Sequence, residues 1–174
     1  MTVNEKNELE VPDDVLRNVK FQFADERPFD AAPFQMPRGI RNNNPMNVKN
    51  FDIPWRGSID NPTDETFEQF NNPAMGIRAG LRDLMNDHLK DGKKTIRGLI
   101  GEFAPESENP TSEYVNFVSN RVGVSPSAEI DFIKPSLLQD FVRATIEFEN
   151  GIQPYSDRTI ASGIAMAIES QPGA

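Results

Sequence analysis

The 174-residue sequence contains no cysteine and only one histidine. The lack of cysteine excludes disulfides, thiolate metal sites and cysteine nucleophiles. A single histidine leaves nothing from which to build a histidine metal cluster, and it disfavours a histidine-dependent triad. The sequence also lacks a glycine-rich phosphate loop and a serine elbow. We therefore expect no metal and no cofactor, and any acid–base chemistry should come from carboxylates.

Basic residues are scarce, with 18 lysines and arginines against 27 aspartates and glutamates, which gives a formal net charge of −9. Such a chain is a poor counterion for phosphate, so we expect no nucleic-acid partner. No apolar run approaches the roughly 18 residues of a membrane span. The first residues carry no basic region followed by an apolar stretch, so we expect no signal peptide.

Residues 1–37 differ in pattern from the rest of the chain. Four prolines interrupt this segment, and its four phenylalanines lack helical spacing. We interpret it as an extended N-terminal arm that docks either on its own domain or on a partner. Residues 38–174 are then the folded domain.

The folded domain is predicted to be mainly α, within the α+β class. Asn72 and Pro73 mark the start of a first long helix. Apolar spacing predicts a second helix over 96–103, a third from Asn109 or Thr111, a fourth from Pro135 and a fifth capped by Ser156 or Asp157. The turn-rich stretch 38–71 is predicted to contain one small β-hairpin.

Glu149 is the most informative candidate. With Leu137 at 0° on a helical wheel, Glu149 falls at roughly 120°, inside the apolar arc, and Glu147 falls at roughly 280°, outside it. Burial and the negative end of the helix dipole both favour a neutral carboxyl group there. That environment suits a general acid, although a frayed helix end or an arginine pair would explain the same pattern.

Most glycoside cleavage needs a second carboxylate, and Asp64 and Glu65 in the predicted hairpin are the candidates. An exposed polar turn is the simpler explanation of either residue and the favoured one. Trp55, the sole tryptophan, is a candidate sugar-stacking wall, and half-buried packing is its alternative.

The run Arg38-Gly39-Ile40-Arg41-Asn42-Asn43-Asn44-Pro45-Met46-Asn47-Val48 resembles the R-G-I-R-x-N-N-P-G-N-I opening of a family of phage virion proteins. Later segments, including Trp55-Arg56-Gly57 and Phe103-Ala104-Pro105, continue the resemblance over about residues 38–168. The resemblance implies a protein of the virion, made in the host cytoplasm.

The order of these signals is also similar to that of the peptidoglycan glucosaminidases and transglycosylases of lysozyme-like fold. Asn43–Lys49 lies where that family has N-N-L-F-G-I-K, and Met46 and Asn47 depart from its Phe and Gly. No helix ending in Glu precedes the motif here. If the helix ending at Glu149 packs beside Asn43–Lys49 instead, the chain is a circular permutation of that fold.

This resemblance implies Glu149 as the general acid and Asp64 or Glu65 as the base or ion stabiliser. The groove that holds the N-acetyl groups would then be lined by Asn43, Asn44, Gln153 and Tyr155.

Two functions remain open at this point. One is a virion-associated enzyme that cleaves peptidoglycan during infection. The other is an inactive structural virion component that keeps the same scaffold and binds other virion proteins through its N-terminal arm. The sequence decides neither the glycosidic bond nor the copy number in the assembly.

Overall fold

The structure, a computed structural model, describes residues 36–51, 53–107, 110–132 and 134–169. The predicted N-terminal arm lies almost entirely outside these residues and stays a prediction. No helix in the described ranges is both long and apolar enough to cross a bilayer.

The described residues are mainly helical, as predicted. The helices are α1 (Arg38–Arg41), α2 (Pro73–Lys90), α3 (Ile96–Phe103), α4 (Thr111–Val122), α5 (Pro135–Asn150) and α6 (Asp157–Glu169). The five helices predicted from apolar spacing are confirmed. The short α1 was not predicted, because a single turn is too short to show an apolar period.

Local side chains explain where several helices begin and end. The Asn72 side chain accepts a hydrogen bond from the Met75 amide at 3.1 Å, which caps α2. The Thr95 hydroxyl accepts one from the Gly98 amide at 3.0 Å, which caps α3. At the other end, α5 terminates at Gly151, whose φ of 68° is left-handed and favours glycine.

The main core lies between the long helices. α2 packs on α6, and α5 packs on α4 and α6. The α2–α6 contact is close, because a Cβ added at Gly163 would lie 2.6 Å from the Ile77 side chain. The largest fully buried side chains of this core include Tyr114, Phe132, Phe141, Leu81, Leu84 and Met85.

The predicted β-hairpin is not confirmed. In the described part of 42–72, pairing is limited to isolated antiparallel bridges, Lys49 with Phe67 and Ser58 with Phe70. Backbone hydrogen bonds join the segments at these bridges, as from the Glu68 amide to the Val48 carbonyl at 3.0 Å. The Asn44 side chain adds to them, because its Nδ2 donates to the carbonyls of Val48 and Glu68, both at 2.9 Å. A second small core of Val48, Phe70 and Ala79 lies beneath this region.

Candidate active site

The asparagine-rich turn after α1 is held in an unusual backbone conformation. Asn43 and Asn47 have φ values of 50° and 51°, in the left-handed region that asparagine tolerates better than most residues. The resemblance to the glucosaminidases described above sets Asn47 against a glycine. The backbone therefore accounts for this departure, because asparagine keeps the conformation and adds an amide side chain.

The C-terminal end of α5 packs against this turn. Asn47 Nδ2 donates to Glu149 Oε2 at 2.8 Å, and Asn150 Nδ2 donates to the Pro45 carbonyl at 2.8 Å. Gly39 lies at the same junction, because a Cβ there would lie 2.5 Å from the side-chain oxygens of Asn47 and Asn150. The expectation that this helix end packs beside the turn is confirmed.

Glu149 and Glu147 point in different directions, as the helical wheel predicts. Glu147 is bound by Arg121 at 2.6 Å on the outer side of α5. Glu149 faces inward, and burial raises its pKa above the ordinary glutamate value. The Asn47 amide and the Tyr114 hydroxyl favour the carboxylate and offset part of that rise. The net effect favours the protonated acid.

Two buried hydroxyl groups lie in the same part of the core. Neither Tyr114 Oη nor Thr145 Oγ1 meets a partner in hydrogen-bond geometry among the described residues. Burial is the largest factor that raises the pKa of Tyr114, and the charge of the neighbouring Glu149 adds to it. The ring stacks on Phe148 with centroids 4.0 Å apart, which fixes the phenol beside the carboxyl group.

Glu149 lines a cavity of about 600 Å³, which is within the usual size range of small-ligand sites. The walls combine carboxylates with apolar side chains, a mixture that suits a sugar with polar edges and apolar faces. The other lining residues are Asn47, Val48, Lys49, Phe51, Phe67, Asp83, Asp87, Glu102, Phe103, Ala104 and Pro105.

Two further carboxylates enter the cavity from α2. Burial raises the pKa of Asp83. Burial, followed by the charges of Asp83, Glu102 and Asp91, raises the pKa of Asp87 to about 6, against the opposing effect of Lys93. Within the described residues, no group of three or more acidic or histidine side chains is arranged to hold a metal ion.

Asp64 and Glu65 do not line the cavity of Glu149. They line a separate depression of about 360 Å³ with Arg38, Arg41 and Asn42. Arg38 donates to both Asp64 oxygens, at 2.6 and 2.7 Å, and Asn42 Nδ2 donates at 2.7 Å. The Arg38 bonds hold the pKa of Asp64 well below its usual range. The Asp64 carboxylate therefore stabilises the fold through these bonds. The sequence of the turn did not predict them.

No protein-family model matches the chain. Over 130 residues, the sequence is 40% identical to Protein P5 of Pseudoalteromonas phage PM2. The matched region covers 72% of this chain and 79% of that protein. The chain belongs to the P5 family. It is thus similar to a phage protein, in line with the phage resemblance of the asparagine-rich motif.

The predicted sugar-binding side chains of this P5-family protein bond or pack within the fold, outside the Glu149 cavity. Asn43 Nδ2 donates to the Phe70 carbonyl at 3.0 Å, and the Asn44 side chain is fully engaged with Val48 and Glu68. Trp55 packs against the second core.

The two remaining predicted binding residues follow α5. Gln153 closes a local turn: its Oε1 accepts from the Tyr155 amide at 2.6 Å and its Nε2 donates to the Tyr155 carbonyl at 3.0 Å. Tyr155 itself packs against the main core. Neither residue lines the Glu149 cavity, so the position of the cavity does not support their predicted contacts with sugar.

Sequence reasoning missed Asn47, Asp83 and Asp87 in this P5-family protein. A signal for the aspartates was present, because Gly76, Gly80, Asp83 and Asp87 are spaced so that they share one face of α2. The glycines mark a close approach along that face: a Cβ at Gly76 would meet the Asn43 carbonyl at 2.1 Å, and one at Gly80 would meet Met46 at 2.8 Å.

Proposed function

We propose that this protein is a virion component that cleaves peptidoglycan during infection, as a glycosidase or a lytic transglycosylase-like enzyme. The single observation that carries the proposal is the position of Glu149. This carboxyl group is partly buried at the end of a helix, is hydrogen-bonded by Asn47, and lines a cavity large enough for a sugar.

Glu149 is the general acid in this proposal. Its raised pKa keeps it protonated closer to neutral pH than an exposed glutamate, so it can donate its proton to the oxygen of the breaking glycosidic bond. The Asn47 amide then stabilises the carboxylate that is left, because it donates to Oε2. We expect activity to fall as the pH rises through the pKa of Glu149.

A circularly permuted lysozyme-like arrangement is part of this proposal. In support, the helix that ends in a glutamate lies beside the asparagine turn, although it follows that turn by about a hundred residues. The virion location is supported by the P5 relationship and by the phage motif. Peptidoglycan and, through residues 1–37, other virion proteins are the proposed partners.

The test is a zymogram on purified cell wall that compares the parent with Glu149→Gln. We expect clearing by the parent and a loss of about 100-fold or more for the variant, because general acid catalysis typically contributes 10²–10⁴-fold. Glu147→Gln is the matched control, since Glu147 lies on the same helix and pairs with Arg121 away from the cavity.

Equal clearing by the parent and by Glu149→Gln would remove Glu149 from the mechanism. Absence of clearing by the parent would instead favour the second candidate, a catalytically inactive structural virion component. A specific observation supports that candidate: Asp64, Asn43, Asn44 and Gln153, which the resemblance assigns to the sugar site, all bond within the fold.

A further inference from the structure

We propose that Asp83 is the second carboxylate of the Glu149 site and acts as the general base that activates water. This inference rests on the proposed glycosidase function, and it narrows the reaction to hydrolysis. Asp83 replaces Asp64 and Glu65 in this role, because those two line a different depression.

The first argument is shared location. Asp83 on α2 and Glu149 on α5 line one cavity of about 600 Å³. A glycosidase that inverts the anomeric carbon needs its acid and its base on different sides of the sugar. Two carboxylates on different helices around one cavity meet that requirement better than two on the same turn.

The second argument is the register of α2 against the asparagine turn. Gly76 faces the backbone of Asn43 and Asn44, and Gly80 faces Met46. The next residue on this face is Asp83, one turn closer to the end of α2. The turn continues in the same direction from Met46 to Asn47, and Asn47 binds Glu149. This register places Asp83 toward the Glu149 end of the turn.

The third argument is that Asp83 has no stabilising partner. Asp64 is bound by a guanidinium group, an amide side chain and backbone amides, whereas no hydrogen bond or ion pair engages the Asp83 carboxyl group in the described residues. A half-buried carboxylate without a partner is costly to the fold. It is available to accept a proton from water.

Asp87 lies one turn farther along the same face and also lines the cavity. Burial and the charges of Asp83, Glu102 and Asp91 raise its pKa, against the opposing effect of Lys93. Because Asp87 belongs to the same cavity, the matched control is an aspartate outside it. Asp140 lies on α5, as Glu149 does, and it is exposed.

The reaction balances with water as the only co-reactant. Glu149 gives its proton to the leaving glycosidic oxygen as the bond to the anomeric carbon breaks. Water forms the new bond to that carbon and gives one proton to Asp83. The products are two shorter glycans, one of which gains a free reducing end.

The experiment measures release of reducing ends from purified peptidoglycan by the full chain and by Asp83→Ala, Asp140→Ala and Glu149→Gln. We expect Asp83→Ala to lose about 100-fold or more and Asp140→Ala, the exposed control, to stay within a few-fold of the parent. Sodium azide should restore turnover of Asp83→Ala, with a glycosyl azide as the product. Azide is an anion and needs no base to remove a proton before it attacks the anomeric carbon.

Rescue by azide separates a base from a structural residue, since a merely distorted fold would not form the azide product. Parent-like activity of Asp83→Ala, a loss without rescue in a variant that melts like the parent, or anhydro sugar ends as the only product would each overturn the inference. If the parent releases no fragments at all, the proposed function fails first.

Discussion

Asp64 illustrates how one candidate site residue instead stabilises the fold. Its side chain is only 9% exposed and accepts from Arg38, Asn42 and the amides of Thr66 and Phe67. We expect Asp64→Asn to lower the free energy of unfolding by about 1–3 kcal/mol, because a charged acceptor of several hydrogen bonds is lost. Chemical denaturation of both proteins at pH 7 measures this difference.

The pH dependence of this effect has a definite sign. The pKa of Asp64 is depressed in the folded state, so its stabilisation is present above the unfolded value of about 4 and is lost as the pH falls below it. Stability curves of the parent and of Asp64→Asn should therefore converge below about pH 4. A constant gap between pH 3 and 7 would contradict this role.

Tyr114 presents the opposite case, a buried hydroxyl group without a well-formed hydrogen bond. Tyr114→Phe should leave the melting temperature close to that of the parent, since no hydrogen bond of ordinary geometry is lost. It should raise the pKa of Glu149, because the hydroxyl favours the carboxylate. The alkaline limb of the activity profile should then move to higher pH, and an unchanged limb would contradict the contact.

At the scale of elements, the glycines of α2 position the asparagine-rich turn. Gly76→Ala should destabilise the protein by about 2 kcal/mol or more, because its Cβ would meet the Asn43 carbonyl at 2.1 Å and overpacking outweighs the gain in helix propensity. Gly101→Ala is the control in α3, where nothing lies within 4 Å. That change should stabilise by about 0.5–1 kcal/mol, as measured by thermal melting.

The helices were predictable because their apolar period and their caps are local properties. Asn72-Pro73 and Asn150-Gly151 mark helix ends from adjacent residues alone. The predicted hairpin is not confirmed, because the described residues of this region pair only at isolated bridges. The Asn44 side-chain bonds that also join the segments cannot be predicted from polarity alone. The inward direction of Glu149 followed from the wheel, whereas its contact with Asn47 spans 102 residues and is invisible to local patterns.

At the scale of the whole molecule, the described core draws its fully buried large side chains from residues 46–160. We therefore expect removal of residues 1–36 to leave a soluble domain with a single cooperative melting transition. Loss of solubility would show that the phenylalanines of the predicted arm belong to the core. Calorimetry of the full chain and of the shortened chain decides this.

The junction of Asn47 with Glu149 and of Pro45 with Asn150 also has a consequence for biosynthesis. Pro45 and Asn47 are among the first residues of the folded domain to leave the ribosome, and Glu149 and Asn150 emerge about a hundred residues later. A nascent or prematurely terminated chain that stops before α5 therefore cannot assemble the acid and its amide partner. Any lytic capacity would begin only after translation has passed residue 150.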